Sequence, residues 1–251
     1  MRGARIDKLG LLGLVLRSFY LQSAWNYDGL QAQGFAHVIF PVGRRLSSES
    51  TVSRDFAARH LALFNTNPIL ASYVIGAVTK LEEEVKAGRR QASDVESLKT
   101  LLAVPLAAAG DRFFWANLRP VAGTIGVMIA LFYGAAGAFA LMAAYNVFHV
   151  YYRVRGVVRG YALGTGTVVE VSRLRLVQMS DWLGRCGAFS LGALLVTLSR
   201  AWGDAGNSEA LVVFPAIAIV CGVLPESFHK RITEIALIAG ALGVVLTAGA
   251  F

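Results

Sequence analysis

The chain has 251 residues, 55% of them hydrophobic and only 16% charged, with a formal net charge of +8. Soluble domains carry roughly a quarter charged residues, so this balance points to lipid. The basic residues are scattered between apolar segments without the interleaved aromatics of a nucleic-acid surface, which argues against a nucleic-acid partner and for a membrane-orientation role.

At the amino end Arg2, Arg5 and Lys8 precede a short apolar run, Leu9 to Leu16, with no small-residue cleavage pattern before Arg17, so no cleaved signal is expected. From Leu16 to Gln33, helical spacing would gather Leu16, Phe19, Tyr20, Tyr27 and Leu30 on one side and Gln22, Asn26, Gly29 and Gln33 on another. Amides in a row offer donors and acceptors that suit sugar hydroxyls, or equally a partner helix in lipid.

Prolines and polar residues then interrupt the apolar stretches at Pro41, at Asn65 to Pro68, at Pro105, at Asp111 and at Pro120. Broken or re-entrant helices are the natural expectation, since irregular backbone at membrane depth survives only where it is buried in protein or lines a cavity. Interfacial amphipathic helices are the alternative. Asn67 before Pro68 matches a helix N-cap with proline at the first helical position. With Asn65 it would form either a polar pocket or a plain cap. His60 reads as a hydrogen-bonded interfacial residue rather than a catalyst. Lys80 to Lys99 mixes both signs of charge and predicts a solvated helical hairpin turning at Gly88. Further on, Pro105 is expected to stop a helix, Asp111 to cap the next, and Pro120 to open a long span. Asp111 and Arg119 are the expected buried ion pair, and Trp115 either stacks on a sugar or anchors at the interface.

Residues 121–148 pass 28 positions without a charge, which predicts one long crossing of a hydrocarbon layer ~30 Å thick. The following loop, His149 to Arg185, holds six arginines, Arg153, Arg155, Arg159, Arg173, Arg175 and Arg185, against Glu170 and Asp181, and is expected in the cytoplasm. Three shorter crossings are expected at 187–199, 210–224 and 235–251, flanked by Trp182, Trp202 and a cytoplasmic Lys230 and Arg231. Cys186 and Cys221 form neither a CxxC pair nor a metal site with the histidines. The expected fold is therefore an all-α integral membrane protein of one domain, 1–251. Its half 1–120 holds broken helices, and its half 121–251 holds one long and about three shorter crossings.

No phosphate loop, HExxH or GxSxG motif is present, and GTG at 164–166 lacks the third glycine of a dinucleotide loop. No catalytic residue, metal or cofactor is expected, and the chain is not expected to be an enzyme by itself.

Three blocks together resemble the mannose/fructose/sorbose-family IID proteins of the phosphotransferase system. They are LRSFYLQSAWNYDGLQAQGFAHVIFP (16–41), RHLALFNTNP (59–68) with LEEE (81–84), and GDRFFWANLRP (110–120); YNVFHVYYRVRGVVRGYALG (145–164) is a weaker fourth. The resemblance implies a multi-pass subunit of the cell inner membrane that pairs with a IIC protein, usually as a trimer of heterodimers. A hexose or related sugar crosses through that pair and takes phosphate from a cytoplasmic IIB charged by IIA, or from a fused IIAB. Candidate sugar contacts are Asn65, Asn67, Gln22, Asn26 and Trp115. The family pattern GPLAGxGD is replaced by VPLAAAGD, so Val104 and Ala108 stand where glycines are expected and should stiffen or repack that turn. The region after residue 165 is shorter and more arginine-rich than the family leads one to expect. The competing readings are a membrane-embedded sugar or lipid-linked transferase and a regulatory homologue that no longer transports.

Overall fold

The computed structural model describes residues 5–47 and 51–204, and these are helical, with isolated bridges as the only extended pairing among them. The elements are α1 (Lys8–Ser18), α2 (Ala32–Leu46), α3 (Arg54–Leu61), α4 (Ala71–Lys86), α5 (Ala92–Gly110), a π-helical segment (Asp111–Leu118), α6 (Arg119–Tyr133), α7 (Ala136–Leu163), α8 (Thr167–Ser172) and α9 (Leu176–Asp204). The chain divides into two compact units, Met1–Gly187 and Ala188–Phe251. Of the second, the described part is the distal portion of α9, which takes in the expected segment 187–199. The segments 210–224 and 235–251, with Lys230, Arg231 and Cys221, lie outside the described residues.

In the first unit α4 is the central element. Its residues from Ala71 to Val78 are apolar or small on every side, and they are completely buried against α7, α5, α2 and α1. A helix that is apolar all round belongs in a core. The contact with α7 is close because glycines face backbone: a Cβ on Gly76 would come within 2.2 Å of the Val157 carbonyl, and one on Gly160 within 2.3 Å of the Tyr73 carbonyl. The Ser72 hydroxyl reaches the Tyr152 carbonyl at the same crossing. Small residues at such crossings let helix backbones approach, which is how helices associate without a hydrophobic drive in lipid.

The charged hairpin forms as expected: α4 ends at Lys86, Gly88 takes φ +70, and α5 starts at Ala92. Its two ends are less solvated than the charge pattern suggests, since Glu82, Glu83 and Lys99 are buried.

Several expected breaks are absent. Helix α2 runs through Pro41, and α5 runs through Pro105. Each proline removes one helical hydrogen bond, and the residues whose carbonyls lose it, His37 and Leu101, are exposed, where water can take the donor's place. Asp111 does not start a new helix either. α5, the π-helical segment and α6 form one continuous rod, Ala92–Tyr133, of 42 residues. Conversely, residues 121–148 are not one helix. Gly134, at φ +55, turns the chain, and α7 packs back along α6. The turn is tight because a Cβ on Gly137 would lie 2.2 Å from the Gly126 carbonyl. Each charge-free arm, 121–133 and 136–148, is about 20 Å long, short of the ~30 Å layer.

Candidate functional site at the joined chain breaks

Asn67 is buried and fully engaged. Its side-chain oxygen accepts from the backbone N–H groups of Ile69 (3.1 Å) and Leu70 (3.3 Å), which is the capping role its place before Pro68 predicts. Its amide nitrogen donates to the Asp111 carboxylate at 2.9 Å. The two sequence blocks that carry chain breaks are thereby joined at one point. Gly110 makes the approach possible, since a Cβ there would fall 2.4 Å from both Cβ and Cγ of Asn67.

The neighbouring Asn65 behaves differently: it is exposed and lines an open cleft of about 420 Å³ with Arg59, Glu96, Lys99 and Thr100. Between the two asparagines, Thr66 is buried, and its backbone N–H donates to Gln31 Oε1 (3.1 Å) while Gln31 Nε2 donates to the Thr66 carbonyl (2.7 Å). This reciprocal amide clamp is continued by backbone bonds from Gln31 N to the Phe64 carbonyl (2.8 Å) and from Phe64 N to the Gly29 carbonyl (3.3 Å).

The amide stripe over Gln22 to Gln33 does not form, because α1 ends at Ser18 and the chain turns from Phe19 to Gln31 before α2. Asn26 instead folds a local turn, its side-chain oxygen accepting from Asp28 N (3.0 Å) and Gly29 N (2.8 Å). Gln22 is exposed. Leu30 adopts φ +54 at the end of this turn, a conformation a branched side chain rarely takes, and it bridges to Phe64. The loop holding Asn26 and the segment holding Asn65 and Asn67 thus lie side by side.

The expected Asp111–Arg119 ion pair is absent. Asp111 faces Asn67, while Arg119 lies over the Trp115 ring at 5.8 Å, and two turns of rod separate the two charges. Arg112 pairs with Asp181 at 2.6 Å instead. Trp115, Arg119 and Tyr145 line a second groove, apart from the Asn65 cleft. Val104 and Ala108 sit on the exposed face of α5, so they repack no turn; the glycine with a packing role is Gly110.

Beside the Asn65 cleft lies a buried polar cluster that sequence spacing does not reveal. Arg59 grips Glu82 with two hydrogen bonds, 2.7 and 2.8 Å, and His60 Nε2–H donates to the same carboxylate at 2.9 Å. Lys99 donates to the Arg59 carbonyl at 2.7 Å. Burial pushes the His60 imidazole below its ordinary value, opposed by its bond to Glu82. Burial alone would raise the Glu82 carboxyl, but the Arg59 and His60 bonds outweigh it and hold it lowered. The sequence pointed here through the LEEE motif and through His60, read as hydrogen-bonded, but named neither one's partner.

The family described as the PTS system mannose/fructose/sorbose family IID component matches residues 5–201. The mannose-specific EIID component of Escherichia coli K12 is 32% identical over 194 residues, 76% of this chain and 68% of the relative. The fructose permease IID component of Bacillus subtilis is 25% identical over 232 residues, covering 88% and 84%. A chain of the mannose transporter ManYZ, solved in complex with microcin E492, shares the fold with a TM-score of 0.61 at 24% identity over 98% of this chain and 97% of that one. A match over most of the chain, on the same blocks whose geometry is joined at Asn67 and Asp111, establishes that the chain belongs to the mannose/fructose/sorbose-family IID components of the phosphotransferase system, membrane subunits of sugar transporters.

Proposed function

We propose that this chain forms a sugar translocation unit with a IIC subunit in the cell inner membrane, as a multi-pass protein within a trimer of IIC–IID heterodimers. The sugar is a hexose or a close relative, and phosphate reaches it from IIA and IIB, or from a fused IIAB, with the IID chain itself non-catalytic. The observation that carries the residue-level reading is the contrast between the two asparagines. Asn67 has both amide ends committed inside the protein, whereas Asn65 sits exposed in a cleft, and its amide can both donate to and accept from neutral hydroxyls. Asn65 is then the sugar contact and Asn67 the residue that positions its segment. Gln22 and Asn26, on the adjoining loop, are the next candidates, and Trp115 serves as an anchor.

The test measures sugar affinity and complex yield side by side for Asn65→Ala, Asn67→Ala and Asn67→Ser in the assembled transporter. One neutral hydrogen bond is worth ~0.5 to 1.5 kcal/mol, so Asn65→Ala weakens affinity by roughly 2- to 13-fold at normal yield. Asn67→Ala lowers yield first. Unchanged affinity in the Asn65 variant removes it from the site. Sugar phosphate made by the purified chain alone would instead support the transferase reading.

A further inference from the structure

The second groove is an open space of about 570 Å³ lined by Trp115, Arg119, Ala122, Gly123, Leu141 and Tyr145. One wall is the rod where the π-helical segment passes into α6, and the other is α7. Its composition is ordered along its length. At one end are a cation and two amphipathic aromatics; beyond them are small and aliphatic side chains.

Arg119 differs from the other arginines of these two walls. Arg112 pairs with Asp181, Arg153 donates to Ser18 and His149, and Arg155 and Arg159 share Glu170. Arg119 has no carboxylate partner among the described residues and lies against the face of Trp115. Its guanidinium keeps its planar fork of donors free, the geometry that fits a phosphate through two parallel bonds. It also stands immediately before the charge-free run 121–148. Because that run folds back at Gly134, both of its charged ends, Arg119 and the His149–Arg153 segment, lie at the same end of the hairpin. A cation flanked by Trp and Tyr at the edge of an apolar stretch is the arrangement expected at the headgroup level of a bilayer.

We propose that this groove holds one anionic phospholipid, its phosphate on Arg119 between Trp115 and Tyr145 and an acyl chain along Ala122, Gly123 and Leu141. Charge complementarity selects a lipid with a net negative headgroup over a zwitterionic one. Gly123 has a simple part: a Cβ at this position would meet nothing within 4 Å, so its missing side chain leaves groove volume that a chain can fill.

The experiment reads Trp115 fluorescence from the full chain in vesicles of phosphatidylcholine with a minor fraction of phosphatidylglycerol. Bromine, which quenches tryptophan on contact, is carried by one lipid or the other. Trp115→Phe supplies the background of Trp25, Trp182 and Trp202. One charge-assisted bond corresponds to a preference of about tenfold for phosphatidylglycerol over its bulk fraction, which Arg119→Gln returns to about onefold. Gly123→Leu, which leaves Arg119 intact, lowers the quenching by filling the chain's path, so the result does not rest on one variant folding well.

Three outcomes overturn the proposal. Equal quenching by the two lipids denies any headgroup selection. Displacement of the bound lipid by inorganic phosphate would make this a small-anion site. Loss of the quenching when IIC is co-assembled would assign the groove to that subunit.

Discussion

The Asn67 amide donates to the Asp111 carboxylate across 2.9 Å, linking the cap of the buried helix α4 to the first residue of the π-helical segment. The bond decides what each residue can be replaced by. Asn67→Asp keeps both capping acceptors but sets a second carboxylate against Asp111, so complex yield falls, by roughly 1 to 3 kcal/mol of stability. Adding Asp111→Asn restores it, because the roles are then exchanged: the carboxylate now at position 67 accepts from the amide now at position 111 and still caps the helix. Melting curves of the two single variants and the double variant check this, and additive losses would rule the bond out.

Gly110→Ala should be severe and Ala108→Gly mild, although the family pattern alone would draw attention to both. The added methyl at 110 falls 2.4 Å from Asn67, and the overpacking costs about 1 to 3 kcal/mol. At 108 the side chain is exposed, so the change costs only about 1 kcal/mol of helix propensity. Size-exclusion yields of the assembled complex distinguish the two.

What the sequence revealed depended on whether the deciding interaction was local. The Asn67 cap and the turn at Gly88 follow from neighbouring residues, and both form. Proline was misleading at Pro41 and Pro105 because a helix with a solvent-facing gap tolerates the lost bond. The charge-free run 121–148 has the length of one crossing, and nothing in composition distinguishes that from two arms folded at Gly134. That distinction rests on the close approach of Gly126 and Gly137. The Glu82 cluster and the Gln31–Thr66 clamp join residues 22 to 40 positions apart, beyond any spacing rule.

The cluster of Arg59, His60, Glu82 and Lys99 makes the fold acid-sensitive. His60 is depressed from 6.5, so the unfolded chain takes up its proton first as pH falls, and stability declines from about that value downward. Glu82 is also depressed, from 4.5; its contribution is present above that value and is lost as pH falls further. Both signs agree. Thermal unfolding between pH 8 and 4 should show a plateau, then a decline in two stages. His60→Gln should shrink the upper stage and leave the lower one, and an unchanged profile in that variant would mean the histidine does not titrate on unfolding.

The fold-back at Gly134 makes a topological prediction that the single-crossing reading reverses. With Cys186 and Cys221 replaced by serine, cysteines are introduced one at a time at the exposed positions Ala116 and Val150. They lie at comparable distances before and after the turn, 18 and 16 residues. If 121–148 were one helix across the bilayer, an impermeant maleimide added to sealed, inside-out vesicles would label one of them and not the other. Because α6 and α7 run antiparallel with their charged ends together, both should be labelled from the same face, and both should be silent from the opposite face. The arginine-rich stretch from Arg153 to Arg175 predicts, by the positive-inside rule, that this face is the cytoplasmic one. A third cysteine at Gly134 should be labelled slowly from either side, since an apex about 20 Å beyond Arg119 stops within the hydrocarbon layer. Labelling of Ala116→Cys and Val150→Cys from opposite faces would unfold the hairpin into a crossing.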